Sequence, residues 1–531
     1  CFTSFRKHPR DQEWIYILVT LFTSCLFYTV MLASSTPALV VFSVYVLLLL
    51  GCLAIATLAD SYFYIYEWPS HLGDVYPPPG AKLDPDSRYD HTFYENNGAG
   101  KLLVPELGLF QTWQFSLYKN AMSRLYVSKY RTRDPSKASA FIIPFDAGVH
   151  SYIDHRTGKP RLASPHGWYA IQLLKQAKNN KIFWKYHGHD HFVFFSITIN
   201  QMVGIGVKVF FMQICQNCTV MTIETSPTNT AISGRSHKYW YAVPYPSSFH
   251  WWEGIKMLPW TVNAMTTSQR DILALFIGSV KTRNVNSNAL RRTLYSHCNA
   301  DSSCQWHKTA HACNGVVNAS SQMLLFQRAQ FCPAPPGDSI TRKSLFDSLV
   351  SGCVPVLFAK ASLRQYLWYF TEKEISEVSV FIPKVQVQEQ GLNFLEILRK
   401  IPAEQLLKKQ KAIEQLASRV QYSVVPQHIG NGSDGAVWQS PIRDAVDVIT
   451  EKILDRQTIE PINGFSDAEL IRQKCMQNDI MQNHADYTGM DAGKTKGAAG
   501  SHVNKALWQK NKCHNYSRDA SFFGSTFEVT W

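Results

Sequence analysis

Apolar and polar positions fall along the chain in three regimes. In the first, Trp14–Ala59, there is no charged residue. A helix needs about 20 apolar residues to span a bilayer. Two pieces reach that length, Trp14–Ser34 and Ala38–Ala59, on either side of Ser35-Thr36-Pro37. Arg6, Lys7 and Arg10 precede them, with no acid before Asp11, which favours a cytosolic start. The run predicts a retained anchor of one or two spans and is too long for a cleaved signal peptide. One span puts the rest of the chain in a lumen, whereas two return it to the cytosol unless the N-terminus is itself luminal.

In the second regime, short apolar runs alternate with amphipathic stretches. Strands are predicted at Tyr62–Tyr66, Ala138–Phe145, Phe192–Ile199, Val207–Ile214 and Thr219–Glu224, with helices at Phe110–Lys129 and Trp168–Lys178. The alternation then restarts. Ile272–Ile277, Cys353–Phe358 and Val378–Ile382 read as strands; Ser287–His297, Ser344–Ser351, Ala403–Val420 and Ile442–Leu454 read as helices. Strands alternating with helices argue for parallel sheets covered on both faces, with ligands at the carboxyl ends of the strands. Two such units imply two Rossmann-like domains facing a cleft. The third regime, beyond about residue 457, is polar, with a Gly/Ala/Lys-rich run at Gly489–Gly500. The expected organisation is a short segment 1–13, the anchor 14–59, α/β units at 60–265 and 266–457, and a flexible tail 458–531.

Composition adds the compartment. The chain has 531 residues, 45% hydrophobic and 18% charged, which excludes global disorder. Its net charge of +13 is spread without a Lys/Arg block, so it suits anionic ligands and gives no footprint for nucleic acid. The twelve cysteines form no paired zinc pattern. Cys298, Cys304, Cys313 and Cys332 cluster and read as one or two disulfides, Cys353 as a free thiol buried in a strand, and Cys215-Gln-Asn-Cys218 stands alone. Sequons at Asn217, Asn318, Asn431 and Asn515 agree with an oxidising lumen.

The most informative stretch is Phe331–Phe358. A Pro/Gly turn, Pro335-Pro336-Gly337, is followed by Asp338, Ser339 and Thr341 as helix caps, then a helix, then a buried strand. A helix N-terminus favours phosphate. Arg342 and Lys343 add positive charge there, and Asp347, one turn on, suits ribose hydroxyls. The plainer reading is a Lys343–Asp347 surface pair with Asp338 as a cap. Gly278, Arg283 and Arg291, after the strand Ile272–Ile277, are further candidates for a departing diphosphate.

This stretch resembles the signature of the exostosin-type glycosyltransferases, family 47, in its plant xyloglucan galactosyltransferase branch. Other pieces resemble family motifs in order: Asn97–Gly100, Gln114-Phe115, Lys137–Gly148, Gly188–Phe192, Glu224–Pro227, Val243–His250, Tyr366–Trp368 and Val378–Pro383. The likeness covers about residues 62–455. Four positions depart from the pattern: Tyr118, Asp146, His189 and Lys343. The resemblance implies a GT-B fold, a Golgi membrane enzyme with a luminal body, and an inverting mechanism with no obligatory metal. It also implies a UDP-sugar donor, with UDP-galactose expected, and a polysaccharide or glycan acceptor. A homo-oligomer or a complex with other Golgi transferases is compatible with it; a nucleic-acid partner is not expected.

An inverting displacement needs a base for the acceptor hydroxyl. Asp190, His191 and Glu224 are the candidates, since each borders a buried strand. Two other classes compete. His187, His189 and His191 would share one face of a strand and could ligate zinc in a hydrolase. An inactive relative would bind glycans, or scaffold a partner, without turnover. Asp84-Pro-Asp86 sits among Pro and Gly and reads as a loop.

Overall fold

The computed structural model describes residues 61–67, 95–146, 165–180, 182–198, 215, 217–225, 239–267, 270–282, 284–307, 319–429 and 435–455. The anchor Trp14–Ala59, Asp84-Pro-Asp86, the strand expected at Val207–Ile214, the tail 458–531, Arg283, Cys313, Asn318, Asn431 and Asn515 lie outside them. Among the described residues no helix is long and apolar enough to cross a membrane.

Two all-parallel sheets dominate. The first orders β4-β1-β5-β6-β7-β8, from β1 Tyr62–Ile65, β4 Arg131–Thr132, β5 Ala138–Asp146, β6 His191–Phe195, β7 Thr219–Thr222 and β8 Trp240–Ala242. The second orders β10-β9-β11-β12-β13, from β9 Ile272–Ile277, β10 Cys304–His307, β11 Ala329–Ala334, β12 Val354–Leu357 and β13 Val380–Phe381. β6, β7 and β12 are buried along their whole length, as parallel strands covered on both faces must be; hence their continuous apolar sequences. A small antiparallel hairpin, β2 Lys101–Val104 and β3 Leu109–Gln111, stands apart.

The hairpin corrects one expectation. The helix read at Phe110–Lys129 is confined to Leu117–Tyr126, because Leu109–Gln111 pair with β2 and the Phe110 N–H bonds to the Ser248 carbonyl. Gly108, at φ +60, turns the chain between the two strands, and a Cβ there would meet the His250 carbonyl oxygen at 2.1 Å. The shortened helix buries Leu117, Ala121, Met122 and Leu125 on one stripe. Phe331–Ala334, ahead of the Pro335-Pro336-Gly337 turn and assigned no element from the sequence, lies in the middle of the second sheet as part of β11. Pairing with β9 stops at Phe331, so Pro333 has a ladder neighbour on one side only, Val356 of β12.

The last helix returns to the first sheet. It runs Ala445–Leu454 and packs on the helix Leu117–Tyr126 and on β1 and β5. It starts later than Ile442 because Asp444 caps it, accepting the Val446 and Asp447 N–H groups while Asp447 bonds back to the Asp444 N–H. Arg124 locks it in place: Nε donates to Asp444 at 3.0 Å, Nη2 to Asp447 at 2.9 Å, and the guanidinium lies over Trp438.

Disulfides join Cys215–Cys218, Cys298–Cys304 and Cys332–Cys353. Cys353 is therefore not a free thiol. β11 and β12 are neighbours with Phe331 beside Val354, which brings the Cys332 and Cys353 Cα atoms to 5.9 Å. Two residues distant in sequence become adjacent only once the sheet forms. A non-reducing peptide map should show Cys332 joined to Cys353. Replacing both by serine should cost about 3 kcal/mol of stability. Recovery of Cys332 linked to Cys298 or Cys304 would contradict this pairing.

Candidate active site

In the second sheet the chain leaves β9 toward β10 on one side and resumes at β11 on the other. Such a switch point opens a crevice at the carboxyl ends of the two strands. Gly278-Ser279 follows β9, and Pro335–Arg342 follows β11. Arg291, from the helix Val285–Asn299, fastens these loops together. Its Nε donates to the Pro336 carbonyl at 2.8 Å, its Nη2 to Pro335 at 3.0 Å and its Nη1 to Ser279. Arg291 is buried and its donors serve carbonyls, so it clamps the crevice and is not poised to meet a phosphate. Ser287 Oγ adds a bond to the Gly337 carbonyl at 2.7 Å.

Arg342 has two donors to spare, where Arg131, Arg270 and Arg419 each have one. Its Nε and Nη2 are buried and have no hydrogen-bond partner among the described residues. Leaving buried guanidinium donors unmet is costly, and native structures keep such groups mainly where function uses them. The guanidinium lies against Gly337, where a Cβ would meet Nη2 at 1.2 Å. Arg342 is also the N-cap of the helix Lys343–Val350, with extended backbone and no side-chain cap. Asp338, Ser339 and Thr341 thus do not cap this helix. The loop turns outward before it, Asp338 is exposed, and Ser339 is drawn to Glu224.

Glu224 sits two residues beyond β7 and meets that loop across the two sheets. Its carboxylate accepts from Tyr245 Oη at 2.7 Å, Ser339 Oγ at 2.9 Å and the Ile340 N–H at 3.1 Å. Burial raises its pKa to about 7, against the downward pull of the Tyr245 and Ser339 hydrogen bonds and of the nearby Arg342 charge. Tyr366 Oη donates to the Ile223 carbonyl, and the Thr225 N–H to Gln365, so residues 223–225 are tied to the second sheet's loops at several points.

Lys343 and Asp347 are paired, but not on the surface. Nζ lies 2.8 and 2.9 Å from the two Asp347 oxygens and 2.6 Å from Ser248 Oγ, and Asp347 also accepts the Ser248 N–H at 2.8 Å. Asp347, read as a ribose ligand, is thereby engaged by protein donors.

Asp190 and His191 lie elsewhere. His191 opens β6, so both stand at the amino end of that strand, opposite the end where the sheet meets the donor loop. Asp190 bonds His191 Nδ1 at 2.8 Å and Tyr66 bonds Nε2 at 2.7 Å, and the imidazole stacks on Phe141. This is a polar chain satisfied inside an aromatic core. The three histidines do not share a strand face: residues 182–190 form turns, His187 has φ +53, and His189 packs on Tyr239. Among the described residues no cluster of three His, Cys, Asp or Glu side chains is placed to hold a metal.

Asp146 was legible only as a departure from a motif. It ends β5, is fully buried, and accepts the Ser196 N–H at 3.2 Å. A register shift between Ile143 and Asp146 re-aims it, and bulges of this kind cluster beside active sites. It stands at the first sheet's own switch point, between β1 and β5, a position that no spacing in the sequence reveals.

Two parallel sheets, each with a switch-point crevice of the kind in which α/β proteins bind their ligands, define the class of the fold. The exostosin GT47 domain model matches residues 60–401, more than half of the chain. The chain belongs to this family of glycosyltransferases. It is 27% identical over 419 residues to the probable xyloglucan galactosyltransferase GT15 of Arabidopsis thaliana, covering 75% of this chain and 83% of that protein. It is 27% identical to the xyloglucan galactosyltransferase MUR3 of the same plant, covering 75% of this chain and 62% of that protein. It is 26% identical to the xyloglucan-specific galacturonosyltransferase 1, also of Arabidopsis thaliana, covering 74% of this chain and 56% of that protein.

Two outcomes follow from this geometry. Gly337→Ala should expel the Arg342 guanidinium and weaken UDP binding by roughly ten- to a hundredfold, the worth of one or two charge-assisted bonds, with the fold kept. Titration of UDP against the folded variant checks this. The second outcome concerns pH. A carboxyl whose folded pKa is raised favours the fold fully below its unfolded value near 4.5, and that contribution fades as pH rises through about 7. The stability of Glu224→Gln relative to the parent should therefore improve by on the order of 3 kcal/mol between pH 4.5 and 8. Denaturant melts at several pH values measure it; a pH-independent difference would contradict the raised pKa.

Proposed function

We propose that this chain is an inverting glycosyltransferase that moves galactose from UDP-galactose to a cell-wall or matrix polysaccharide. It works as a Golgi membrane enzyme, with Trp14–Ala59 as its anchor and the body in the lumen. The two parallel sheets support a GT-B arrangement in which the second holds the nucleotide sugar and the first the acceptor. The observation that carries the reading is Arg342, whose buried Nε and Nη2 lack partners on the loop that opens the second sheet's crevice. A guanidinium there neutralises the charge that develops on a departing diphosphate, and it acts in a desolvated site where such stabilisation is large. The names of the relatives support galactose as the sugar and xyloglucan as the acceptor. One relative is named for galacturonic acid, so the sugar is the part of the reading most in need of test.

Of the three base candidates, Glu224 alone reaches the donor loop, and its proton affinity near neutrality suits proton transfer. In this reading Glu224 both holds Ser339 and Ile340 and takes the acceptor proton, whereas Asp190 and His191 hold the core of the first sheet. The inactive-relative reading has less support, because the signature loop keeps its anion-facing arginine. The zinc-hydrolase reading loses its ligand set.

The test is a panel of UDP-sugars with xyloglucan oligosaccharides and the full chain in detergent. UDP-galactose should give transfer, and Glu224→Gln should cut turnover at saturating UDP-galactose by roughly 10²–10⁴-fold, beyond any loss of UDP affinity. Transfer from UDP-glucuronate or UDP-galacturonate alone would overturn the sugar assignment. UDP binding without transfer from any donor would favour the inactive relative.

A further inference from the structure

We propose that Lys343 is a positioning residue that sets how the segment Val243–Trp251 closes on the donor helix, and is not a ligand of the diphosphate. The proposal rests on the transferase reading above. It starts from donor arithmetic. An ammonium has three N–H donors and no acceptor. Lys343 places Nζ within 2.9 Å of three oxygens, Ser248 Oγ and both Asp347 carboxylate oxygens. A phosphate would have to break this partly buried pair, leaving Asp347, only 6% exposed, without its cation. Arg342, one residue earlier, needs no such exchange.

Ser248 shows what the bridge is for. It belongs to the run that follows β8, and that run bonds both to the hairpin and to the chain around Tyr422. The Phe110 N–H bonds to the Ser248 carbonyl, and the His250 N–H to the Gly108 carbonyl, which ties the run to the hairpin. His250 Nδ1 bonds to the Tyr422 carbonyl, the Trp251 N–H to Gln421 and the Val424 N–H to the Trp251 carbonyl, which ties it to the chain after the second sheet. Lys343 and Asp347 bond it to the helix that Arg342 caps. Lys343 therefore ties the helix that Arg342 caps to the run that carries Tyr245, a donor to Glu224. It does so without touching either substrate.

Such a residue leaves a kinetic signature. Misplacement of reacting groups by about 1 Å costs up to a hundredfold in rate while ground-state binding survives. Lys343→Met, Ser248→Ala and Arg342→Ala in the full chain are compared by UDP titration at several salt concentrations and by kcat for transfer. Lys343→Met should keep UDP affinity within about threefold of the parent, with the same salt dependence, and lose roughly 10- to 100-fold in kcat. Ser248→Ala, which leaves the Lys343–Asp347 pair intact, should show the same split with a smaller loss and serves if Lys343→Met does not fold. The proposal is overturned if Lys343→Met weakens UDP tenfold or more and flattens its salt dependence, or if Ser248→Ala leaves kcat unchanged. Failure of the donor-site reading itself looks different: Arg342→Ala would then bind UDP as tightly as the parent.

Discussion

The carboxylate of Glu224 is the point on which the site turns. Three donors converge on it, one from the run after β8 and two from the loop after β11, and a buried charge of this kind persists only where its partners are held in place. The bond to Ser339 and the bond from the Ile340 N–H fix the loop after β11. That loop then leaves Gly337 against the Arg342 guanidinium, with Arg291 gripping the prolines behind it. Glu224 thus shares with Arg291 and Ser287 the task of holding the turn on which the Arg342 donors are left unmet. Burial also raises the carboxyl's proton affinity to near neutrality, so the group that organises the loop is one that can exchange a proton.

Around this point polar seams are added to an apolar core that runs through both sheets. Lys343, Asp347 and Ser248 form one seam, His250 and Tyr422 another, and Arg124 with Asp444 and Asp447 a third. Directional bonds of this kind specify one relative placement of the sheets, where apolar contact would accept several. Transfer between two bound substrates needs that placement to be reproducible.

Much of the fold was legible from hydrophobic pattern. Long buried strands such as Ala138–Phe145 and the restart of the alternation at Ile272 follow from runs that only a covered parallel sheet can use. Phe331–Ala334 was not legible, because a proline in a strand reads as a break until the neighbouring strand is seen to stop short. The helix expected from Phe110 failed for a related reason: the apolar period runs on through a hairpin that pairs with a distant segment. Of the site, the Arg342 loop was legible from its Pro-Gly turn and its helix. The roles of Lys343 and Asp347 were not, because their spacing of four is the same for an idle surface pair as for a seam. Asp190 and Glu224 both border strands, and chain order already puts one at an amino end and the other at a carboxyl end; what it does not show is that the Glu224 end meets the loop after β11. The Cys332–Cys353 pair is invisible before the sheet is assembled.

The central claim is that the crevice between the β9 and β11 loops receives a nucleotide diphosphate on Arg342. A crystal structure of the chain with UDP tests it most directly. The account predicts diphosphate oxygens within about 3 Å of Arg342 Nε and Nη2, with Lys343 still bonded to Ser248 and Asp347. A diphosphate seated at the amino end of β6, or held by Lys343 with the Ser248 bond broken, would contradict it.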